Sequence, residues 1–264
     1  MPNKITFKGL GAKEAELVAR LTYEKKRIVS AEDLSSILPS GFKYRNQLIY
    51  SLKKKNILAP IKRGFYVFTP LEALTSGPRV NELLLPPVFF PRKNYYIGYS
   101  TMYNYYEFSD QLYQTVYVIN TTLFMERIIC GVSFKFLKVS ADRIYGAEAI
   151  KVDNTDVMVS SLERTLVDLI YFNKPVGGVA KAVEILTRMI EENKCDRKKL
   201  VEYASRFPSA TVRKRIGVIL EGLGIKGSVL QPLIKSIEKT SITSLTGSRK
   251  GTLNKTWRVI VDAS

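Results

Sequence analysis

Between Lys43 and Phe68 the chain reads KYRNQLIYSLKKKNILAPIKRGFYVF, and its hydrophobic rhythm changes half-way. The first half sets Tyr44, Leu48, Ile49 and Leu52 on one side of a helix from about Phe42 to Asn56, the side that must pack inward. The second half reads as two short strands, Ile57–Ile61 and Phe65–Phe68, joined by Lys62, Arg63 and Gly64, the glycine permitting a tight turn. Upstream, Ala15, Leu17, Val18 and Leu21 recur at helical spacing within residues 12–25. Ser30 and Asp33 then form a capping-box-like start for a short helix that Pro39 stops, and Ser40-Gly41 supplies a turn. Three helices followed by a basic hairpin is the plan of a winged helix-turn-helix, assigned here to residues 1–72.

Residues 73–92 hold a cluster of prolines and read as a linker wrapped over a surface. Residues 93–264 make a larger mixed α/β unit. Its YSTMYNYYEF stretch reads as a helix, TVYVI, VSFKFLKV and VMVS as strands, and SSLERTLVDLIYF as a helix capped by Ser160 with Glu163 three residues on. Further helices are expected over 179–192, 197–207 and 211–223, with strand-like segments around a basic, Gly-rich loop at the end. The expected class is α+β. No segment approaches the roughly 18 to 20 apolar residues that span a bilayer. Residues 1–20 lack an apolar signal core, so a cytoplasmic setting without membrane contact is expected.

Charge narrows the partners. Lys and Arg number 41 against 24 Asp and Glu, a formal net charge of +17, and a field of that sign concentrates polyanions, nucleic acid above all. The chain contains no histidine and two widely spaced cysteines, Cys130 and Cys195. A histidine-based triad, a zinc site and a disulfide framework are therefore not expected.

On the helix of residues 42–56, Lys43, Asn46, Gln47, Tyr50 and Lys54 point away from the core side. In a helix-turn-helix the second helix enters the major groove, where Asn and Gln bond adenine bidentately and Arg and Lys favour guanine. Lys53, Lys54 and Lys55 follow at the back, near phosphates, and Lys62 and Arg63 at the hairpin tip reach the backbone or minor groove. The bland alternative is a solvated basic face beside a hairpin that only buttresses the core. Arg213, Lys214 and Arg215, with Arg249 and Lys250 in the tail loop, suggest a second basic surface for nucleic acid.

The element L…KKKNILAPIKRGFYVF, then YIGYSTMYNYYEFSDQ, then SLERTLVDLI and RKRIGVILEGLGI, in that order over roughly residues 12 to 260, resemble the AbiEi antitoxins. These are two-domain regulators encoded beside a nucleotidyltransferase-like toxin in abortive-infection, type IV toxin–antitoxin systems. The resemblance implies an N-terminal domain that binds inverted repeats in operator DNA and represses its own operon. It also implies a C-terminal domain that counters the toxin by opposing its effect, without necessarily gripping it. Carried over by position, it adds Arg45 to Lys43, Asn46, Gln47, Tyr50, Lys62 and Arg63 as DNA contacts. The alternative is a stand-alone winged-helix regulator with a ligand- or protein-sensing C-terminal domain. Around Glu163, Arg164 and Asp168 the first role expected is structural, since Leu162, Leu166, Leu169 and Ile170 share that helix.

Catalytic patterns dissolve on inspection, and no enzyme activity or cofactor is expected. Gly222–Gly227 satisfies G-x-G-x-x-G but follows a helix, which makes Gly222 and Gly224 helix-terminating residues. TGSRKG lacks P-loop spacing. Asp142, Glu148 and Lys151 suggest a nuclease cluster, but Glu148 and Lys151 are three apart and fall on opposite faces of a strand.

Overall fold

A computed structural model describes residues 9–37, 42–76, 80–225, 227–237, 240–248 and 250–261. They form a mixed α and β protein that divides into two compact units. One runs up to Phe89 and takes in Arg127–Ser133; the other comprises Phe90–Glu126 and the chain from Phe134 onward.

The first unit contains α1 (Ala12–Tyr23), β1 (Ile28–Ser30), α2 (Ala31–Ile37), α3 (Phe42–Lys54), β2 (Leu58–Lys62) and β3 (Phe65–Phe68). Both β1 and β2 pair antiparallel with β3, giving the order β1-β3-β2. Gly64 closes the β2–β3 turn at φ +79°. α2 starts on a reciprocal cap: Ser30 N–H donates to Asp33 Oδ2 at 2.8 Å, and Asp33 N–H donates to Ser30 Oγ at 3.0 Å. Lys26 Nζ donates to the same carboxylate at 2.6 Å, tying the α1–β1 connection to the cap. Leu17, Leu21, Val29, Leu34, Leu52, Ile57 and Phe68 form the core.

Leu48, Ile49 and Leu52 of α3 face that core, as their spacing predicts, but Tyr44 is 44% exposed. Side chains tilt toward the helix N-terminus, so from the first turn of α3 Tyr44 projects past the packed layer. The expected turn at Pro39, Ser40 and Gly41 lies outside the described residues. From Val80 onward the proline-rich segment, expected as a linker, carries regular structure of its own. Asn81 Oδ1 accepts Leu83 N–H at 3.0 Å, starting a 3₁₀ turn that runs into α4 (Leu85–Phe89), and Leu84 and Leu85 are buried.

Beyond Phe89 come β4 (Tyr95–Gly98), α5 (Ser100–Tyr105), β5 (Thr115–Asn120), β6 (Met125–Ile129), β7 (Val132–Lys138), β8 (Ala147–Val152) and β9 (Thr155–Ser160); Arg127–Ser133, with most of β6 and the start of β7, is grouped with the first unit and the rest with the second. The six strands form one sheet of order β6-β7-β5-β4-β9-β8. β4 is buried at every position, antiparallel to β5 and parallel to β9 with Ile97 opposite Val159. Helices α6 (Leu162–Tyr171), α7 (Val179–Glu191), α8 (Arg197–Arg206), α9 (Ala210–Gly222) and α10 (Gln231–Ser236) follow. A small sheet of β10 (Thr243–Ser244), β11 (Thr252–Asn254) and β12 (Val259–Val261) has the order β10-β12-β11.

α6 starts one residue later than expected: Ser161, not Ser160, is its cap, with Oγ accepting Arg164 N–H at 3.3 Å. Ser160 is held in the β8–β9 ladder opposite Ala147, and its hydroxyl lies 2.7 Å from that of Thr165. The helical core gathers Leu166, Leu169, Ile185, Leu200, Ile216 and Leu220 around fully buried Trp257. The indole lies flush against α9 at Gly217, where an added Cβ would sit 2.0 Å from the ring. No helix among the described residues is long and apolar enough to cross a membrane.

Candidate nucleic-acid interface

α3 carries its polar residues on a stripe set by spacings of three and four. Asn46, Gln47, Tyr50, Lys53 and Lys54 are all exposed on this helix, which contains no carboxylate. Tyr50 is 59% exposed, and Lys54 Nζ lies 4.7 Å over its ring, so the pair presents an aromatic face and a cation together. Lys43 lies on the same stripe by backbone position, and its side chain falls outside the described residues. Arg63 is exposed at the β2–β3 turn.

Three cations expected on this surface work inside the fold instead. Arg45 is half-buried and its Nη1 donates to Ser35 Oγ at 2.6 Å, joining α3 to α2. Lys62 Nζ donates to the Val88 carbonyl and lies 4.8 Å over Phe65 and 5.5 Å over Phe89, so the cation at the turn is Arg63. Lys55, one residue past the end of α3, is rotated back toward α1. It forms an ion pair with Glu14 and donates to the Gly9 carbonyl at 3.2 Å. Glu14 also accepts Gly11 N–H at 2.8 Å. Burial would raise this carboxyl, but Lys55, Ser51 and the Gly11 amide outweigh it and hold it below the ordinary value.

The second basic surface does not assemble at α9. Lys214 is only 1% exposed, and its ammonium donates to the Ser241 carbonyl. Burial, and then Arg258 and Arg213, push its pKa down. Arg213 Nη1 donates to the Phe207 carbonyl, and Arg215 Nε donates to the Ser244 carbonyl at 3.1 Å. The triplet thus fastens the chain on either side of α9, because this helix is buried along most of its length and its cations find carbonyls within reach. Lys250 is exposed, and Arg249 lies outside the described residues.

Arg164 and Asp168 form a fully buried ion pair on α6, with Nε 3.2 Å from Oδ2 and Nη2 3.1 Å from Oδ1. Arg164 Nη2 also donates to the Tyr96 hydroxyl of β4 at 2.8 Å. Burial opposes charge on Arg164, but the Asp168 carboxylate and the surrounding tyrosines prevail and hold its pKa above the usual arginine range. Glu163 Oε1 accepts Asp196 N–H at 3.0 Å, joining α6 to the start of α8. These groups position the sheet and helices, in line with the structural role expected of them. The i, i+4 spacing on α6 encodes the ion pair; nothing in the sequence signals Tyr96 as its third member.

Glu148 is exposed and accepts the Tyr106 hydroxyl at 3.3 Å, while Lys151 pairs with Asp156 at 2.6 Å. Asp142 is exposed in a separate 3₁₀ turn. Among the described residues, no three Asp, Glu or Cys side chains converge to hold a metal ion. After α9, Gly224 takes the left-handed conformation at φ +81°, whereas Gly222 is the last residue of the helix itself.

No protein-family profile matches the sequence, and no curated protein matches it. The fold is similar to that in the crystal structure of the RV2827C protein from Mycobacterium tuberculosis. The TM-score is 0.65 over 97% of this chain and 93% of that one, at 14% identity. At that identity the likeness concerns the fold alone.

Proposed function

We propose that this protein is a winged-helix DNA-binding regulator that occupies its own operator and acts as the antitoxin of an AbiEi-like system. The observation that carries the DNA-binding part is the carboxylate-free stripe of Asn46, Gln47, Tyr50 and Lys54 on α3. It faces solvent on the second helix of an α2–α3 pair and is followed by a hairpin with Arg63 at its turn. With α3 in the major groove, Asn46 and Gln47 stand at its front, where base edges are read, and Lys53, Lys54 and Arg63 reach phosphates.

The internal commitments of Lys55 and Lys62 lower the expected electrostatic contribution. Three phosphate contacts per copy give a slope of log K against log salt of about −2.7, roughly a 40-fold loss from 50 to 200 mM. Two copies on an inverted repeat would reach about −5.4 and a loss on the order of a thousandfold. The antitoxin part rests on the motif resemblance, and coexpression with the neighbouring nucleotidyltransferase-like toxin tests it: growth should be restored.

The DNA-binding part is tested by titrating the protein against its upstream DNA and random DNA of equal length across a salt series. A preference for the upstream DNA that persists at 200 mM salt, and that Asn46→Ala erodes, is expected. Equal, salt-fragile affinity for both DNAs would reduce the α3 stripe to a basic surface.

A further inference from the structure

In the second unit, four arginines from separate segments converge on two aromatic rings. Arg206 lies 4.1 Å from the Tyr145 ring centroid, and Arg164 lies 4.2 Å from it. Arg164 also stands 5.4 Å from the Phe207 ring, and Arg143 lies 5.6 Å from it. Arg213 donates to the Phe207 carbonyl and completes the group. Flat guanidinium groups gain from lying over rings, which offsets part of their mutual repulsion.

The sequence makes room for this cluster. Gly146, next to Tyr145, has φ +65°, and a Cβ there would lie 2.9 Å from Arg164 Cβ and 3.0 Å from the Tyr203 ring. No other residue lets the loop before β8 lie so close to both α6 and α8.

Hydrogen bonding inside the cluster is incomplete. Arg143 Nε, Arg164 Nη1 and Arg213 Nε are buried without a hydrogen-bond partner among the described residues. Buried N–H groups are nearly always satisfied, and Arg164 itself is 1% exposed. Three open donors on arginines that all meet Phe207, two at its ring and one at its carbonyl, call for an acceptor with several oxygens. The charges agree: four guanidiniums stand against Asp168, paired with Arg164, and Glu202, 4.0 Å from Arg206. Two positive charges remain. Arg206 has a side chain 48% exposed, and Arg143 is half-buried, so the cluster extends from the buried α6 pair to the surface.

We propose that this arginine cluster is a binding site for a phosphate monoester dianion, with Arg206 and Arg143 receiving it and Arg164 forming the floor. A dianion matches the residual charge and offers acceptors to forked guanidinium donors. A phosphodiester carries one negative charge and has fewer free oxygens. The site is independent of the α3 surface, so its failure and the failure of DNA binding are separate results.

Isothermal titration at constant ionic strength tests it, with inorganic phosphate and adenosine monophosphate as monoester-like probes and cyclic adenosine monophosphate as the diester. Saturable binding of the first two, at least tenfold tighter than the diester, is expected. Arg206→Gln and Arg143→Gln should each weaken it tenfold or more, whereas Lys54→Ala on α3 should leave it unchanged. Emission from the single tryptophan, Trp257, reports that the variants remain folded, and Arg206→Lys provides a second, milder variant expected to lose binding partially. Heat no different from a chloride titration, equal affinity for the diester, or full binding by both glutamine variants would overturn the proposal.

Discussion

Gly217→Ala sets two well-measured effects against each other. Inside a helix, Ala is favoured over Gly by about 1 kcal/mol, so at an open position the change would stabilise α9. At this position the new methyl would stand 2.0 Å from Trp257 Cζ3 and 2.3 Å from both Cε3 and Cη2. Carbon atoms pack at about 3.5–4.0 Å, so the indole must retreat by roughly 1.5 Å. Trp257 is completely buried in the core that contains α9, so a retreat must displace packed neighbours. If the ring is displaced, the loss approaches the ~3–5 kcal/mol of truncating a buried aromatic residue. Less the propensity gain, Gly217→Ala should destabilise the second unit by about 2–4 kcal/mol. Because Trp257 is the only tryptophan, urea unfolding followed by its emission reads stability and local packing together, and a red-shifted native spectrum should accompany the lower midpoint. Trp257→Leu should be costly alone but should remove most of the penalty of Gly217→Ala in the double variant, followed by circular dichroism. A Gly217→Ala protein that is more stable, with unchanged emission, would refute the packing of the indole on α9.

Three further outcomes follow from the first unit. Ser30→Ala removes the hydroxyl that accepts Asp33 N–H and should lower its stability by about 0.5–2 kcal/mol in thermal unfolding; no shift would mean that Asp33 alone sustains the cap. Asp33, like Glu14, is held below its ordinary value, burial being outweighed by Lys26 and the Ser30 cap. The stability these carboxylates contribute is therefore full above their ordinary values of 3.8 and 4.5 and is lost as pH falls through the lower folded-state values. Melting midpoints taken from pH 7 to 3 should drop below about 4.5, and Glu14→Gln should flatten that drop; a parallel drop in the variant would remove Glu14 from the account. In DNA binding, Lys54→Ala should reduce the salt slope by about 0.9, while Lys62→Ala should leave the slope alone and lower the melting midpoint.

Much local chemistry was legible in the sequence where one element sufficed to express it, though the cap of α6 fell one residue later and Tyr44 of α3 turned outward. The Ser30–Asp33 cap, the Leu48, Ile49 and Leu52 face of α3 and the β2–β3 hairpin around Gly64 each follow from spacing within a dozen residues. What spacing does not encode is which distant group a long side chain meets. Lys62 and Arg63 are neighbours on one turn, yet Lys62 turns to Val88 and two phenylalanines while Arg63 stays in water. Lys214 stands in a run of three cations that suggests a surface, and only the position of Ser241 shows it to be internal. β1 and β4 leave no periodic signal in the sequence for a related reason. Three or four residues are too few to show a period, and β4, buried on both faces, has no polar side to alternate with.

The central place of β4 shapes how the chain emerges from the ribosome. β5 follows within two dozen residues and can cover one edge early, but β9, which closes the other edge, is synthesised about 60 residues after β4. At translation speeds of about 5–20 residues per second, that apolar edge waits roughly 3–12 s for its neighbour. During that interval the nascent protein presents an open strand to other chains. Stalled or truncated products ending before Thr155 are therefore expected to be aggregation-prone and dependent on chaperones, whereas those extending through Ser160 have the β8–β9 hairpin available to close the sheet.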